Sequence, residues 1–247
     1  MFVPQTAPAT RNGVNRMPPL LPETHQNSKI MTAPPSPVPK RLSPCRETLF
    51  AGPTGEELPD YEIHYHPDGT IRETWVFFYG ADQRAGQAHP GVPLRRKAIY
   101  RGQVDAYRLH AAHKLQDVYY VGAAGEEIED YQVTYQDAGT VSETDVFFYE
   151  EDRRAFQSRP GQGLRRRATY VGHVQPYRLA TAIKRLDTFF AGPPRAERRD
   201  FQYRYRDGEV TETVCFLYEG NQRAAAASLA PLRRQVTHRG KMTREES

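Results

Sequence analysis

The chain has 247 residues, 38% of them hydrophobic and 26% charged, with a formal net charge of +4. No run approaches the roughly 18 consecutive apolar residues of a membrane-spanning helix, and Met1-Phe2-Val3-Pro4-Gln5 lacks the cationic start and apolar core of a secretory signal. Two cysteines, Cys45 and Cys215, are too few for a disulfide framework, so a reducing, cytoplasmic setting is expected.

Residues 1–46 hold 10 of the 20 prolines and six Lys/Arg against one Asp/Glu. The stretch Thr32–Arg41 predicts polyproline II or coil, because it has too little apolar surface to offset the entropy of ordering. Residues 1–46 therefore read as a disordered, Pro-rich basic tail, a tether or partner-docking arm. Ser36-Pro37 and Ser43-Pro44 fit short phosphorylation motifs. The last 16 residues are also basic, five Lys/Arg against two Asp/Glu, which leaves residues 47–231 slightly acidic, 23 against 27. That balance disfavours a nucleic-acid surface on the folded part.

From Glu47 onward the chain repeats itself. Residues 47–116 match residues 117–186 at 33 of 70 positions, and a shortened third copy follows over 187–241, leaving 242–247 as a C-terminal tail. Tandem self-similarity of this kind is the mark of a repeat architecture. Gly52, Asp60 and Tyr61 return as Gly122, Asp130 and Tyr131, then as Gly192, Asp200 and Phe201. Tyr107-Arg108-Leu109 returns once, as Tyr177-Arg178-Leu179.

The second copy carries the clearest strand pattern. Asp117–Val121 is a short β-rich run, followed by a turn over Gly122–Glu127. Tyr131, Val133 and Tyr135 alternate with polar residues, as in a strand with one buried face. Asp137-Ala138-Gly139 turns the chain, as Asp68-Gly69 and Asp207-Gly208 do in the other copies, the signal of a tight hairpin. Thr140–Tyr149 alternates at first and then becomes apolar on both faces at Val146–Tyr149, which predicts a buried strand. Glu150–Gly163 reads as a loop and Leu164–Val171 as a fourth strand. Tyr177–Leu186 fits either a short helix or a strand. Summed over the copies this gives about 12 mostly antiparallel strands joined by short connections.

The expectation is therefore an all-β fold: three tandem antiparallel β-meander repeats of about four strands each, in an elongated or partly wrapped sheet. Hairpins with Asp-Gly turns, together with the steps Tyr100-Arg101-Gly102 and Tyr170-Val171-Gly172, resemble MORN and YD-type repeats. Those families have shorter periods, and the Gly-rich MORN spacing is absent here, so the resemblance implies no particular function.

Two sets of recurring charged residues are candidate sites. Glu73, Glu143 and Glu212, with Arg84, Arg154 and Arg223, are expected to form a structural ion-pair ladder across strands. Arg95-Arg96, Arg165-Arg166 and Arg233-Arg234 stand beside strand aromatics. With Tyr61, Tyr131 and Phe201 they are the candidate partner- or ligand-binding residues, one set per repeat. Cations beside stacking rings are what single-stranded nucleic acid binding uses, but the acidic balance of the body opposes it and leaves carbohydrate or another polyanion as the ligand class. His64, His66, His110 and His113 have metal-compatible spacings, but copy two has Thr134, Gln136, Ala180 and Ile183 there, so surface histidines are expected. No glycine-rich phosphate loop, GxSxG or CxxC occurs, and no catalytic residue, metal or cofactor is expected. The expected function is a non-enzymatic scaffold or adaptor that binds a protein partner or self-assembles through its repeat surface and strand edges. A carbohydrate- or polyanion-binding module is the alternative. Nucleic-acid binding through the basic ends is the second alternative.

Overall fold

The computed structural model describes residues 44–105, 108–136, 139–227 and 229–242. Most of the expected tail, Tyr107 and the turn residues Asp137 and Ala138 lie outside the described residues.

The described chain is nearly all antiparallel β. Its strands are β1 (Arg46–Ala51), β2 (Leu58–Tyr65), β3 (Ile71–Tyr79), β4 (Leu94–Arg101), β5 (Lys114–Val121), β6 (Ile128–Tyr135), β7 (Val141–Tyr149), β8 (Arg153–Arg154), β9 (Leu164–Val171), β10 (Lys184–Ala191), β11 (Arg198–Arg206), β12 (Glu209–Tyr218) and β13 (Leu232–Arg239). They form one 13-stranded sheet in which each strand pairs with the next, and β8 alone lies off the path, against β7. This is the meander that short connections predict. Among the described residues the sheet does not close: β1 pairs only with β2, and β13 only with β12.

Local chemistry explains the turns. Asp207 and Gly208, with φ of 51° and 83°, make the two-residue link between β11 and β12, as a right-twisted hairpin requires. Gly122 has φ of 117°, and a Cβ there would lie 2.6 Å from the carbonyl oxygen of Glu126, so the turn after β5 admits only glycine without distortion. The ambiguous link resolves into both readings in series. Leu179–Thr181 is a single 3₁₀ turn, Ala182 returns to extended backbone, and β10 begins at Lys184. Ten residues give too few internal hydrogen bonds for an α-helix to outcompete the waiting sheet edge.

Apolar residues on both faces of the central strands give a row of small cores rather than one large one. On one face Val76, Phe78, Ala98 and Tyr100 are buried beneath Val104, Leu109 and Ala112 of the link to β5. Val146, Phe148, Ala168, Tyr170 and Val174 repeat this beneath Leu179 and Ala182. On the other face Tyr79, Ala85 and Ala88 pack with Phe77 and Leu94, and Phe147, Tyr149 and Ala155 pack with Ile128 and Leu164. The loop after each central strand thus covers one face, and the link after the next strand covers the other. Fully burying one such valine or phenylalanine contributes about 1.5–3 kcal/mol.

Buried polar groups tie these layers together. The hydroxyls of Thr74, Thr144 and Thr213 each donate to a glycine carbonyl, Gly102, Gly172 and Gly240, at 2.8 Å. The phenols of Tyr79, Tyr149 and Tyr218 donate to the carbonyls of Pro59, Glu129 and Arg199. Burial, and then the nearby carboxylate of Asp60, pushes the Tyr79 phenol from 10.0 to about 12. Burial likewise pushes Tyr100 to about 12, with Asp117 the next cause. A folded-state value above the unfolded one stabilises fully below the unfolded value. Their contribution to stability is therefore expected to be full and constant below pH 10 and to be lost as pH rises from there toward 12. Part of the tyrosinate absorbance should appear only together with the loss of circular dichroism. Ionisation of every tyrosine with the sheet intact would refute the burial of these phenols.

Candidate functional site

The recurring arginines divide into two structural groups, each organised by a different carboxylate. Arg84, Arg154 and Arg223 meet aspartates that sit in β-bulges. Leu49 faces Tyr61 but Phe50 faces Pro59, which leaves Asp60 unpaired in the ladder. The same slip leaves out Asp130 between β5 and β6 and Asp200 between β10 and β11. A bulge turns an extra side chain onto one face of the sheet. Asp130, 1% exposed, is gripped by Arg154 through Nε at 3.1 Å and Nη2 at 2.8 Å. Arg84 holds Asp60 the same way, at 2.9 and 2.7 Å, and Arg223 Nε donates to Asp200 at 2.9 Å.

The expected ladder of Glu73, Glu143 and Glu212 with these arginines is thus replaced by buried aspartate pairs. Glu73 accepts from Trp75 Nε1 at 3.1 Å, Glu143 pairs with Arg185 and Glu212 with Arg204 at 2.9 Å. The reason is the face of the sheet. Glu73 shares the side of Trp75 and Phe77, whereas Arg84 and Arg154 approach the rings of Phe78 and Phe148 on the other side.

The paired arginines of β4 and β9 form two equivalent seams with the following strand. Arg96 donates twice to Asp82, at 2.9 and 2.6 Å, and once to Asp117, at 2.9 Å, above the Phe78 ring. Arg166 does the same with Asp152 and Asp187 above Phe148. Burial lowers the Arg96 guanidinium, but the hydrogen bonds and charges of Asp82 and Asp117 outweigh it and leave the group raised. Asp117 also accepts from Lys114 at 3.0 Å and Tyr135 at 2.7 Å, and Asp187 from Lys184 and Tyr205. Arg95 and Arg165 donate to the carbonyls of Gly122 and Gly192. The N–H groups of Leu94 and Leu164 donate to Glu127 and Glu197, both at 2.9 Å.

The aromatic members of the expected ligand set are packed. Tyr61 and Tyr131 lie against the cores under the links, and Phe201 is buried with Tyr203 and Cys215. Tyr131 stacks on Tyr119 and Phe201 on Phe189, each pair at 4.3 Å between centroids. Tyr131 and Phe201 thus each have one ring face stacked on a neighbour, while Phe201 and Arg165 together line a shallow depression with Phe189 and Asp200.

The third arginine pair differs. Arg233 reaches Glu219 at 2.8 Å, but Arg234 makes no hydrogen bond or ion pair among the described residues. β13 is mostly exposed, whereas the aligned β4 and β9 each hold three consecutive buried residues before an exposed last one. The difference is that, among the described residues, no strand follows β13. Gly240 donates its N–H to Thr211 of β12, and strand alternation then directs the N–H groups of Arg239, Thr237 and Gln235 away from the sheet. At the opposite end, Tyr65 donates its N–H to the Cys45 carbonyl, so Arg46 and Thr48 present their backbone groups outward. Phe50, on the same strand, is 60% exposed.

Of the histidines, His64 is not a surface group. Its Nε2 lies 2.5 Å from Glu62 and its ring 4.0 Å from that of Trp75, with 12% of the side chain exposed. The polar residue after Tyr61 supplies a partner that histidine spacing alone does not reveal. Among the described residues no group of three His, Cys, Asp or Glu is placed to hold a metal ion. No helix there is long and apolar enough to cross a membrane. Compared with protein-family models, with curated proteins and with solved structures, the chain has no match.

Proposed function

We propose that this chain is a non-enzymatic interaction scaffold that engages protein through the two open edges of its sheet. The observation that carries this is the contrast between seams. The arginines and carboxylates of the two internal seams are used up in holding strands together, whereas among the described residues no strand lies beside the outer edges of β1 and β13, and Arg234 has no partner. An unpaired strand edge offers a full row of backbone donors and acceptors to an added strand. Exposed Phe50 on one edge and Leu232 on the other add apolar contact.

A photoreactive residue placed at Phe50 or Thr237, with Ile183 in mid-sheet as control, tests the reading in cell extract. Protein adducts should form at the two edge positions and be weak at Ile183, which is itself 69% exposed. Equal labelling at all three positions would overturn it.

One place favours anion binding as a second reading. Arg167, Arg198 and Arg199 line an open depression with Phe190, Tyr218 and Glu197. At the equivalent position one copy earlier burial lowers the Lys97 ammonium, and the charge of Glu129 partly offsets that lowering. Arg199 stands where Glu129 stands, so an opposite-charge pair becomes a like-charge one. Salt-sensitive heparin retention that disappears in Arg199→Glu would support this reading.

A further inference from the structure

We infer that the occupant of the two edges is a second copy of this chain, joined head to tail, with β13 of one copy pairing antiparallel with β1 of the next. This rests on the edge-docking reading above and names its partner. The sheet already contains this seam twice, as β4 with β5 and β9 with β10.

Each half of the seam survives at one end of the chain. On β13, Leu232, Arg233 and Arg234 stand where Leu94, Arg95 and Arg96 stand. At β1, Glu47, Gly52 and Glu57 stand where Asp117, Gly122 and Glu127 stand. The three internal contacts then transfer directly. Arg234 reaches Glu47 of the next copy, Arg233 reaches the Gly52 carbonyl, and the Leu232 N–H reaches Glu57. Glu47 is already positioned for this. It accepts from Tyr65 at 3.0 Å, as Asp117 accepts from Tyr135 at 2.7 Å and Asp187 from Tyr205 at 2.8 Å. The Glu57 carboxylate, meanwhile, is taken up by the nearby N–H of Gly55.

The backbone agrees with the side chains. Lys97 faces Val118 and Ile99 faces Gln116 in the internal seam. The transferred register sets Gln235 against Thr48 and Thr237 against Arg46, residues whose N–H groups point outward on both edges. Some groups are missing. Pro44, His238 and Asn221 stand where Lys114, Tyr100 and Asp82 stand, so the intermolecular seam loses a lysine and one bidentate pair. It is therefore weaker than its internal counterparts and depends on concentration. The two edges are different surfaces, so the contact is heterologous and extends into rows of chains instead of closing as a symmetric pair.

Charge reversal distinguishes this from any other association. Full-length protein should grow in mass with concentration when sized with mass detection. Arg234→Glu alone, or Glu47→Arg alone, sets like charges across the seam and should weaken assembly by at least about tenfold. An equimolar mixture of the two variants should assemble again, because each chain's altered end then meets an opposite charge on the other. A wild-type chain that stays monomeric, single variants that assemble as the wild type does, or a mixture that stays monomeric would each overturn the proposal. Edge adducts formed with a different protein, or with residues 1–43 of the same chain, would also overturn it, and the first of these would leave the edge-docking reading standing. Absence of edge adducts altogether would remove both.

Discussion

Replacing Asp130 by alanine is expected to cost about 3–5 kcal/mol, the range for removing one partner of a buried ion pair. Asp130 and Arg154 have side chains only 1% and 9% exposed. Without the carboxylate, the guanidinium keeps the Pro176 carbonyl as an acceptor but no counter-charge. The bulge that turns Asp130 inward would also lose its reason to persist. Urea unfolding measures the loss directly. Replacing both residues together, Asp130→Leu with Arg154→Met, should recover most of it, because no charge is then left stranded. A single variant that unfolds at the wild-type urea concentration would mean that the pair contributes nothing.

Replacing Asp117 by alanine should be of similar size, about 3–5 kcal/mol, for a related reason. Its carboxylate is 3% exposed and accepts from Arg96, Lys114 and Tyr135. Arg96 retains Asp82, but the lysine and the phenol lose their partner. The aligned Glu47 is the control built into the same chain. It accepts from Tyr65 alone, in an exposed hydrogen bond, so Glu47→Ala should change the stability of an isolated chain by less than about 1 kcal/mol. Unfolding curves measured at low protein concentration compare the two. Equal losses would show that the seam carboxylates act through something other than the burial that distinguishes them.

Much of the fold was legible along the chain because its causes are local. Leu164–Val171 is a strand with the bounds its sequence pattern suggests. The apolar run Val146–Tyr149 is buried on both faces because β6 and β9 flank β7 and loops cover both sides. Asp207-Gly208 turns where its positive-φ residues allow it. Alternation, turn chemistry and self-similarity are properties of neighbouring residues, so they need no knowledge of pairing.

The site chemistry was legible only in part. Recurrence marked Asp60, Asp130 and Asp200 as well as Arg84, Arg154 and Arg223, but not that they meet. Asp130 and Arg154 lie 24 residues apart, and their meeting depends on a one-residue slip in the ladder between β5 and β6. A slip of one residue exchanges the two faces of a strand, so Glu143 and Asp130 could not be ranked as partners before register was known. The identity of Arg234 as the exposed member of its set was equally hidden, since Arg96, Arg166 and Arg234 share the same local sequence. The sequence by itself determined the strands, the turns and the residues that recur. Only the tertiary structure decided which of those recurring charges are spent inside the sheet and which remain at its edges, because that depends on whether another strand follows.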